Sequence, residues 1–270
     1  MSPPLTKGGR GDLQEGAVVD RGLWITWYGL PENGRDAYLS WLHGKFIPRM
    51  MKRPRVLHAA HYAAQAQPVQ AGGKSRLRHT DDPTVPTGNG YILIFGGKTA
   101  HAFANLTPRK LERELTPEDR KMLALRVGER VNIVTEEDRA AGPAAKSREG
   151  KFTLAPCIQL GSFNAGSAHE DEILDWYANW RLPSMSKLPG CLGIRKLNSV
   201  SGWAKHAVLY EFVSLAARDE HFPFHENARP EMAAWTDTLV RKLVNAPGSP
   251  NVATRLWPPV RTKGAKKKPR

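Results

Sequence analysis

Apolar and polar residues follow two different periods along this chain. Aromatic and β-branched runs that end at Gly or Pro predict strands in the first half, at 22–29, 56–63, 90–95 and 130–136. Apolar residues spaced three and four apart predict an amphipathic helix over 35–47, which Pro48 is expected to kink or end. Further helical segments are predicted near 99–105 and 117–128. The polar stretch 67–89 is interpreted as a lid or, preferably, a disordered loop.

The second half repeats this order. Strands are predicted over 157–163, 191–198, 206–213 and 251–257, with helices over 170–182 and 229–245. When the chain is shifted by 135 residues, eight of the 22 positions from Asp36 to Leu57 are identical to their counterparts. Average composition would give about one or two. Two Trp and two pairs of Pro are among the matches, which indicates an internal repeat.

Each half has the βαββαβ order of a ferredoxin-like unit. We therefore predict an α+β fold of two tandem ferredoxin-like halves, whose antiparallel sheets pack as an intramolecular α+β barrel. The predicted parts are a flexible N-terminal segment, a first half, a linker, a second half and a basic disordered tail, at 1–19, 20–140, 141–155, 156–260 and 261–270.

The repeat and the phrase WLHGKFIPRMMKRPRVLHAAHY resemble the dimeric α+β barrel superfamily. That superfamily includes EthD-like proteins, muconolactone isomerases, NIPSNAP-type proteins and cofactor-free quinone-forming monooxygenases. The resemblance covers residues 20–260 as two fused copies, and it rests on architecture and a loose helix pattern. It implies a barrel and a small ligand, often aromatic or a lactone. It carries over no catalytic residue, because none matches one by one.

Composition narrows the class of protein. Hydrophobic residues make up 40% and charged residues 24%, which is typical of a globular chain. The lack of a long apolar run, a polar N-terminus and only two cysteines predict a cytoplasmic protein without a membrane span, signal peptide or disulfide framework. The net charge is +14, but six positive charges lie in the last ten residues, so the excess elsewhere is diffuse.

Histidines in the first half are the best candidates for chemistry. His43 shares the apolar face of its helix with Leu39 and Phe46, whereas the matching position in the second half is Ala178. Strand alternation predicts that His61 and Trp27 also lie on the helix-covered side of the sheet. Because imidazoles exchange protons near neutral pH, we interpret His43 and His61 as the catalytic residues.

Aromatic side chains around these histidines are predicted to bind the substrate. Alternation places Tyr28, His58 and Tyr62, with Trp24 and Thr26, on the face that meets the other half. The predicted substrate-binding residues are Trp27, Tyr28, His58, Tyr62 and His101. No motif for a nucleotide or a serine nucleophile occurs, so no cofactor is predicted. The interpretation is a cofactor-independent isomerase, lyase, dehydratase or monooxygenase that acts on a small hydrophobic or aromatic compound by histidine-mediated proton transfer.

Several alternatives compete with this interpretation. His43 and His61 can be ordinary hydrogen-bonded core residues. His221 and His225 stand four apart beside Glu220 and Glu226, but Pro223 interrupts the helix that a metal site there requires, so no metal or haem site is predicted.

A non-catalytic ligand-binding or RNA-binding module is the runner-up. Trp24, Tyr28, Tyr91 and Phe95 resemble a base-stacking platform, yet YILIFGG lacks the sequence pattern of RNA-recognition domains. Nucleic acid and membranes are therefore not expected partners. Each chain of two similar halves is a pseudo-dimer, and association of two such chains into a homodimer is left as an open alternative.

Overall fold

The computed structural model describes residues 19–65, 76–106, 108–150, 152, 155–226 and 229–260. Its strands are β1 (Gly22–Gly29), β2 (Val56–Ala64), β3 (Arg78–His79), β4 (Tyr91–Gly97), β5 (Val127–Ala141), β6 (Cys157–Asn164), β7 (Cys191–Ser201), β8 (His206–Phe212), β9 (Val244–Asn245) and β10 (Asn251–Trp257). Its α-helices are α1 (Arg35–Trp41), α2 (Ile47–Met51), α3 (Pro108–Leu111), α4 (Pro117–Leu123), α5 (Glu170–Trp176), α6 (Leu182–Met185), α7 (Leu215–His221) and α8 (Pro230–Val240). The predicted N-terminal segment, except residue 19, and the predicted basic tail lie outside the described residues.

Eight of the strands close into an antiparallel barrel. The ring runs β10-β2-β4-β1-β5-β7-β8-β6 and returns to β10. Each half contributes four neighbouring strands in ferredoxin-like order, and the pairs β5–β7 and β10–β2 join the halves at both edges. The α+β barrel predicted from the sequence is therefore confirmed as a fold class. Closure leaves no free edge in the ring.

Corresponding elements of the two halves start 135 residues apart. This spacing holds for β1 and β6, for α1 and α5, and for β2 and β7. A π-helical turn also recurs at that spacing, as Leu42–Phe46 and Tyr177–Arg181. A common origin of the halves stays a prediction.

Pro48 was predicted to kink or end its helix, and it does not end it. The helical run continues through α1, the π turn and α2 to Met51, and Pro48 lies in the first turn of α2. The wider π turn changes the local hydrogen bonding just before the proline, so a residue without an N–H is accommodated there. Pro183 occupies the same place in α6.

Three apolar clusters form the core. One lies between the helices and sheet of the first half, the second lies in the same place in the second half, and the third fills the barrel. The central strands β1, β4, β6 and β8 are thus buried on both faces, because helices cover the outside and the opposite half covers the inside.

This double coverage reverses the predicted faces of β1. Leu23, Ile25 and Trp27 were predicted beneath the helices but fill the barrel, whereas Trp24 and Tyr28 pack under the helices. Alternation shows which residues share a face of a strand. It shows which face is buried only when the other face is polar, and both faces of β1 are apolar. On β2 the prediction is correct, since Ala59 packs under the helices and Tyr62 lies in the barrel.

Part of the polar stretch 67–89 is ordered, contrary to the preferred prediction. Residues 76–89 are described and include β3, which pairs in parallel with β9 outside the ring. His79 Nε2 also contacts the carbonyl oxygen of Ser249 at 2.7 Å. In the described part of the chain, no helix has both the length and the apolar character needed to cross a bilayer.

Candidate functional site

A hydrogen-bond chain joins Tyr28, His61 and His43 between the sheet and the helices of the first half. The Tyr28 hydroxyl lies 2.8 Å from His61 Nε2, and His61 Nδ1 lies 2.8 Å from His43 Nε2. Tyr28 comes from β1, His61 from β2, and His43 from the π turn after α1. The predicted meeting of His43 with His61 is confirmed. The aromatic residue that joins them is Tyr28 and not Trp27, as follows from the reversed faces of β1.

Burial sets the protonation of this chain. His61 is fully buried, and burial, followed by the nearby His43 and Arg126, lowers its pKa well below the usual 6.5. Burial also lowers the pKa of the half-buried His43 and raises that of Tyr28 well above 10. All three groups are therefore neutral at pH 7. A positive charge that forms in the chain is better tolerated on His43, because part of its ring reaches solvent.

Aromatic rings and one guanidinium hold the chain in place. Tyr91 stacks on both Tyr28 and His61, with ring centres 5.8 and 5.5 Å apart, and Trp257 stacks on His43 at 6.5 Å. The Arg126 guanidinium lies 4.5 Å from the centre of the Tyr28 ring, and its Nε donates to the Tyr38 hydroxyl at 2.7 Å. The imidazole of His61 thus has little freedom to turn away from its two partners.

A cavity of about 350 Å³ lies next to this chain, between the sheet and α4. Its wall is mostly apolar and consists of Trp24, Phe46, Leu93, Phe95, Leu111, Leu115, Leu123 and Ala124. Its polar lining residues are Thr26, Glu112, Arg120, Arg126 and Glu129. A volume of this size accommodates a mono- or bicyclic organic molecule.

The cavity carries buried donors that the fold leaves unsatisfied. Arg126 Nε and Nη1 donate to Tyr38 and Glu129, but its Nη2 has no hydrogen-bond partner in the described part of the chain, and the side chain is only 6% exposed. Trp24 Nε1 is likewise buried and unpartnered. Both donor atoms are closed to solvent, so a ligand oxygen reaches them only if the two side chains shift.

One layer of side chains separates the cavity from the histidines. Leu93 lines the cavity and pairs in the sheet with Thr26 on one side and His61 on the other. Phe46 also lines the cavity and shares its π turn with His43. None of the predicted catalytic or substrate-binding residues lines this cavity itself.

The other predicted substrate-binding residues lie elsewhere. Trp27 and Tyr62 fill the barrel on the opposite face of the sheet. His58 is buried near the other end of β2, where its Nε2 lies 2.8 Å from Asp20 Oδ2 and its ring stacks on Phe152. His101 is exposed on a short 3-10 turn, Ala100–Phe103. Their predicted role in substrate binding stays a prediction.

The second half has no matching histidine chain. The counterparts of Tyr28, His43 and His61 are Phe163, Ala178 and Lys196. The Lys196 amine is buried and donates to Glu137 and Asn198, each at 3.1 Å. Arg181 replaces Phe46 and lies over the rings of Trp176, Tyr210 and Phe222, in the region that corresponds to the cavity wall. The hydrogen-bonded chain of two histidines and a tyrosine is therefore a feature of the first half.

Sequence reasoning missed the polar residues of the cavity. Arg126 carries no motif and stands near the end of the helix predicted near 117–128, where a basic residue is ordinary. The sequence did contain one signal for this side of the sheet: Trp24, Thr26 and Tyr28 share one face of β1, and Trp24 and Thr26 line the cavity.

Two alternatives raised by the sequence find no support in the geometry. Trp24, Tyr28 and Phe95 are buried under helices, so they do not form an open stacking platform. Within the described residues, no group of three His, Cys, Asp or Glu side chains could hold a metal ion. His225 lies against Arg181. Burial, and then the positive charge of Arg181, lowers the pKa of His225 to about 4.

Comparison with known proteins shows the fold. No protein-family model matches this chain, and no curated protein matches its sequence. A proposed monooxygenase from Lactobacillus acidophilus NCFM is 11% identical, with a TM-score of 0.52 over 87% of this chain and 94% of that one. A proposed monooxygenase from Fusobacterium nucleatum subsp. nucleatum ATCC 25586 is 8% identical, with a TM-score of 0.55 over 88% and 93%. Identities this low show a similar ferredoxin-like α+β barrel and nothing finer.

Proposed function

We propose that this chain is an enzyme that binds a small, largely apolar compound, aromatic in the simplest case, and removes a proton from it without a cofactor. The substrate binds in the cavity between the sheet and α4, and His43 is the general base. The observation that carries the proposal is the continuous hydrogen-bond chain Tyr28–His61–His43 beside that apolar cavity. Isomerisation, elimination and oxygenation of an activated phenol all begin with such a step.

The lining supports an apolar substrate with one polar edge. Burial of the ring system against Trp24, Phe95 and Leu93 supplies the affinity, since apolar area removed from water contributes about 25 cal/mol per Å². The unpartnered donors of Arg126 and Trp24 favour an oxygen on the substrate, and they stabilise the enolate or phenolate that deprotonation produces.

The hydrogen-bond chain supports His43 as the base. When His43 Nε2–H donates to His61 Nδ1 and His61 Nε2–H donates to the Tyr28 oxygen, His43 Nδ1 is left as a free acceptor. This nitrogen has no hydrogen-bond partner among the described residues. His61 then fixes the tautomer and the ring angle of His43, so we assign it as a positioning residue. Phe46 lines the cavity and belongs to the same π turn as His43, so we propose that a change of its rotamer brings the substrate into contact with His43.

Anaerobic deuterium exchange tests this proposal without knowledge of the natural substrate. The probe is 2-tetralone, an apolar bicyclic ketone whose C1 protons are acidic, and the exchange in D2O is followed by NMR. We expect the wild-type protein to accelerate exchange, and His43→Gln to lose at least about 100-fold of the acceleration, the usual contribution of a positioned base. Gln keeps a hydrogen-bonding group toward His61 but accepts no proton.

Matched variants separate the base from the cavity. Ala124→Trp places a bulky ring at the exposed part of the cavity lining and should raise KM, whereas Ala104→Trp, at an exposed alanine outside the lining, should not. His221→Gln changes a partly exposed histidine of α7, in the second half, and should leave the exchange rate unchanged. An exchange rate that does not respond to His43→Gln would remove His43 as the base, and one that does not respond to Ala124→Trp would move the reaction out of this cavity.

A further inference from the structure

A second unsatisfied arginine lies inside the barrel, on the opposite face of the sheet from the cavity. Arg130 on β5 is the direct neighbour of Trp27 on β1, and its guanidinium carbon lies 4.7 Å from the centre of the indole ring. Arg130 is 3% exposed. Its Nη1 donates to the carbonyl oxygens of Pro86 and Pro247, at 3.1 and 3.4 Å. These contacts fix the plane of the guanidinium.

The other edge of this guanidinium has no acceptor among the described residues. Nε and Nη2 of Arg130 are buried without a hydrogen-bond partner, and so is Nε1 of the stacked Trp27. Nε and Nη2 together form the edge with which arginine binds both oxygens of a carboxylate. Leaving three neighbouring donors buried and unpaired is strongly unfavourable.

The charge of Arg130 is also uncompensated, unlike that of other buried arginines. Arg126 pairs with Glu129, Arg181 with Glu226, and Arg195 with both Asp20 and Glu136. Within the described ranges, no acidic side chain lies within ion-pair distance of Arg130, and burial alone lowers its pKa to about 10. Outside those ranges the chain has only Asp12 and Glu15 as acidic residues.

We propose that Arg130 and Trp27 form a binding site for a small planar oxyanion, such as a carboxylate, inside the barrel. Arg130 Nε and Nη2 donate to the two oxygens, Trp27 Nε1 supplies a third donor, and the anion neutralises the guanidinium. Pro86, which holds Nη1, belongs to the stretch 81–89, of which only Val85 is buried. Access therefore requires displacement of a peripheral segment and not of a barrel strand. The site is separate from the proposed catalytic cavity and does not depend on it.

Calorimetric titration of the full chain with sodium formate, at constant ionic strength set with sodium chloride, tests this site. We expect saturable binding of one formate per chain and competition by nitrate, which has the same planar array of oxygens. Arg130→Gln should weaken formate binding more than tenfold. Trp27→Phe keeps an aromatic ring under the guanidinium but lacks the N–H, and should weaken it severalfold.

Arg241→Gln is the matched control. Arg241 is exposed and pairs with Asp237, so its loss changes the net charge equally and should leave formate binding at the wild-type level. Absence of saturable formate binding to the wild-type protein would overturn the proposal, and so would equal affinity in Arg130→Gln. If Arg130→Gln does not fold, wild-type binding together with weaker binding to Trp27→Phe supports the site, and equal affinity in these two proteins overturns it.

Discussion

His61→Leu removes the central link of the hydrogen-bond chain at nearly constant side-chain size. It deletes two hydrogen bonds, each with a net value of about 1 kcal/mol, and deprives the fully buried Tyr28 hydroxyl of its imidazole partner, at a cost of about 1 kcal/mol more. The half-buried His43 can turn to water at little cost. We therefore expect the free energy of unfolding at pH 8 to fall by about 3 kcal/mol.

The difference between the two proteins should shrink in acid. In the folded protein burial holds the pKa of His61 well below 6.5, whereas the unfolded chain has the ordinary value. As the pH falls below 6.5, the unfolded chain takes up a proton that the folded protein does not, so the wild type loses stability. His61→Leu lacks this group, and the gap should narrow by about 1 kcal/mol between pH 8 and pH 5.5.

Urea unfolding followed by circular dichroism at both pH values measures these quantities. Tyr28→Phe removes the hydroxyl whose bond to His61 is also lost in His61→Leu, so the two changes share one hydrogen bond and the double variant should be more stable than additivity predicts, by about 1 kcal/mol. His101→Leu changes an exposed histidine and should stay within about 0.5 kcal/mol of the wild type. A destabilisation below about 1 kcal/mol in His61→Leu, or strict additivity with Tyr28→Phe, would refute the reasoning.

Two further predictions concern stability away from the histidine chain. Gly96→Ala should lower the melting temperature by several degrees, because a Cβ built there overlaps the His58 ring that Asp20 holds; Gly44→Ala, where nothing lies within 4 Å, should not. A melting temperature that is unchanged in Gly96→Ala would contradict this. Asp119→Ala should destabilise by about 2 kcal/mol in urea unfolding, because its buried carboxylate caps α4 and accepts from Arg49. Glu118→Ala, whose carboxylate is about half exposed, is its control, and equal effects of the two changes would show that the cap contributes nothing.

The fold could be predicted well because the same order of strands and helices occurs in both halves of the chain. Strand and helix periods agreed with each other in both halves, and each half follows the ferredoxin-like order that the sequence predicts. The continuation past Pro48 could not be predicted, because the π turn that accommodates the proline has no sequence pattern of its own. The order in 76–89 depends on pairing of β3 with a strand far along the chain, which local composition does not report.

The candidate site could be predicted only in part. His43 and His61 could be predicted, because the helical period of 35–47 and the alternation of 56–63 place both side chains between the helices and the sheet. The predicted faces of Tyr28 and Trp27 were the wrong way round, because both faces of β1 are buried and hydrophobicity cannot distinguish them. Arg126 and Arg130 could not be found at all, since their importance lies in donors left without acceptors, which only three-dimensional placement reveals.

The state of His61 is the most direct test of the central claim, that a neutral buried imidazole positions His43 beside a substrate cavity. Nitrogen-15 NMR of histidine-labelled protein, with the His61 signals assigned by His61→Gln, reports the protonation of each ring nitrogen. The structure predicts that His61 stays neutral from pH 8 to pH 5.5 and that its signals shift when 2-tetralone binds. A His61 that titrates near pH 6.5, or that does not respond to the bound ketone, would contradict the account.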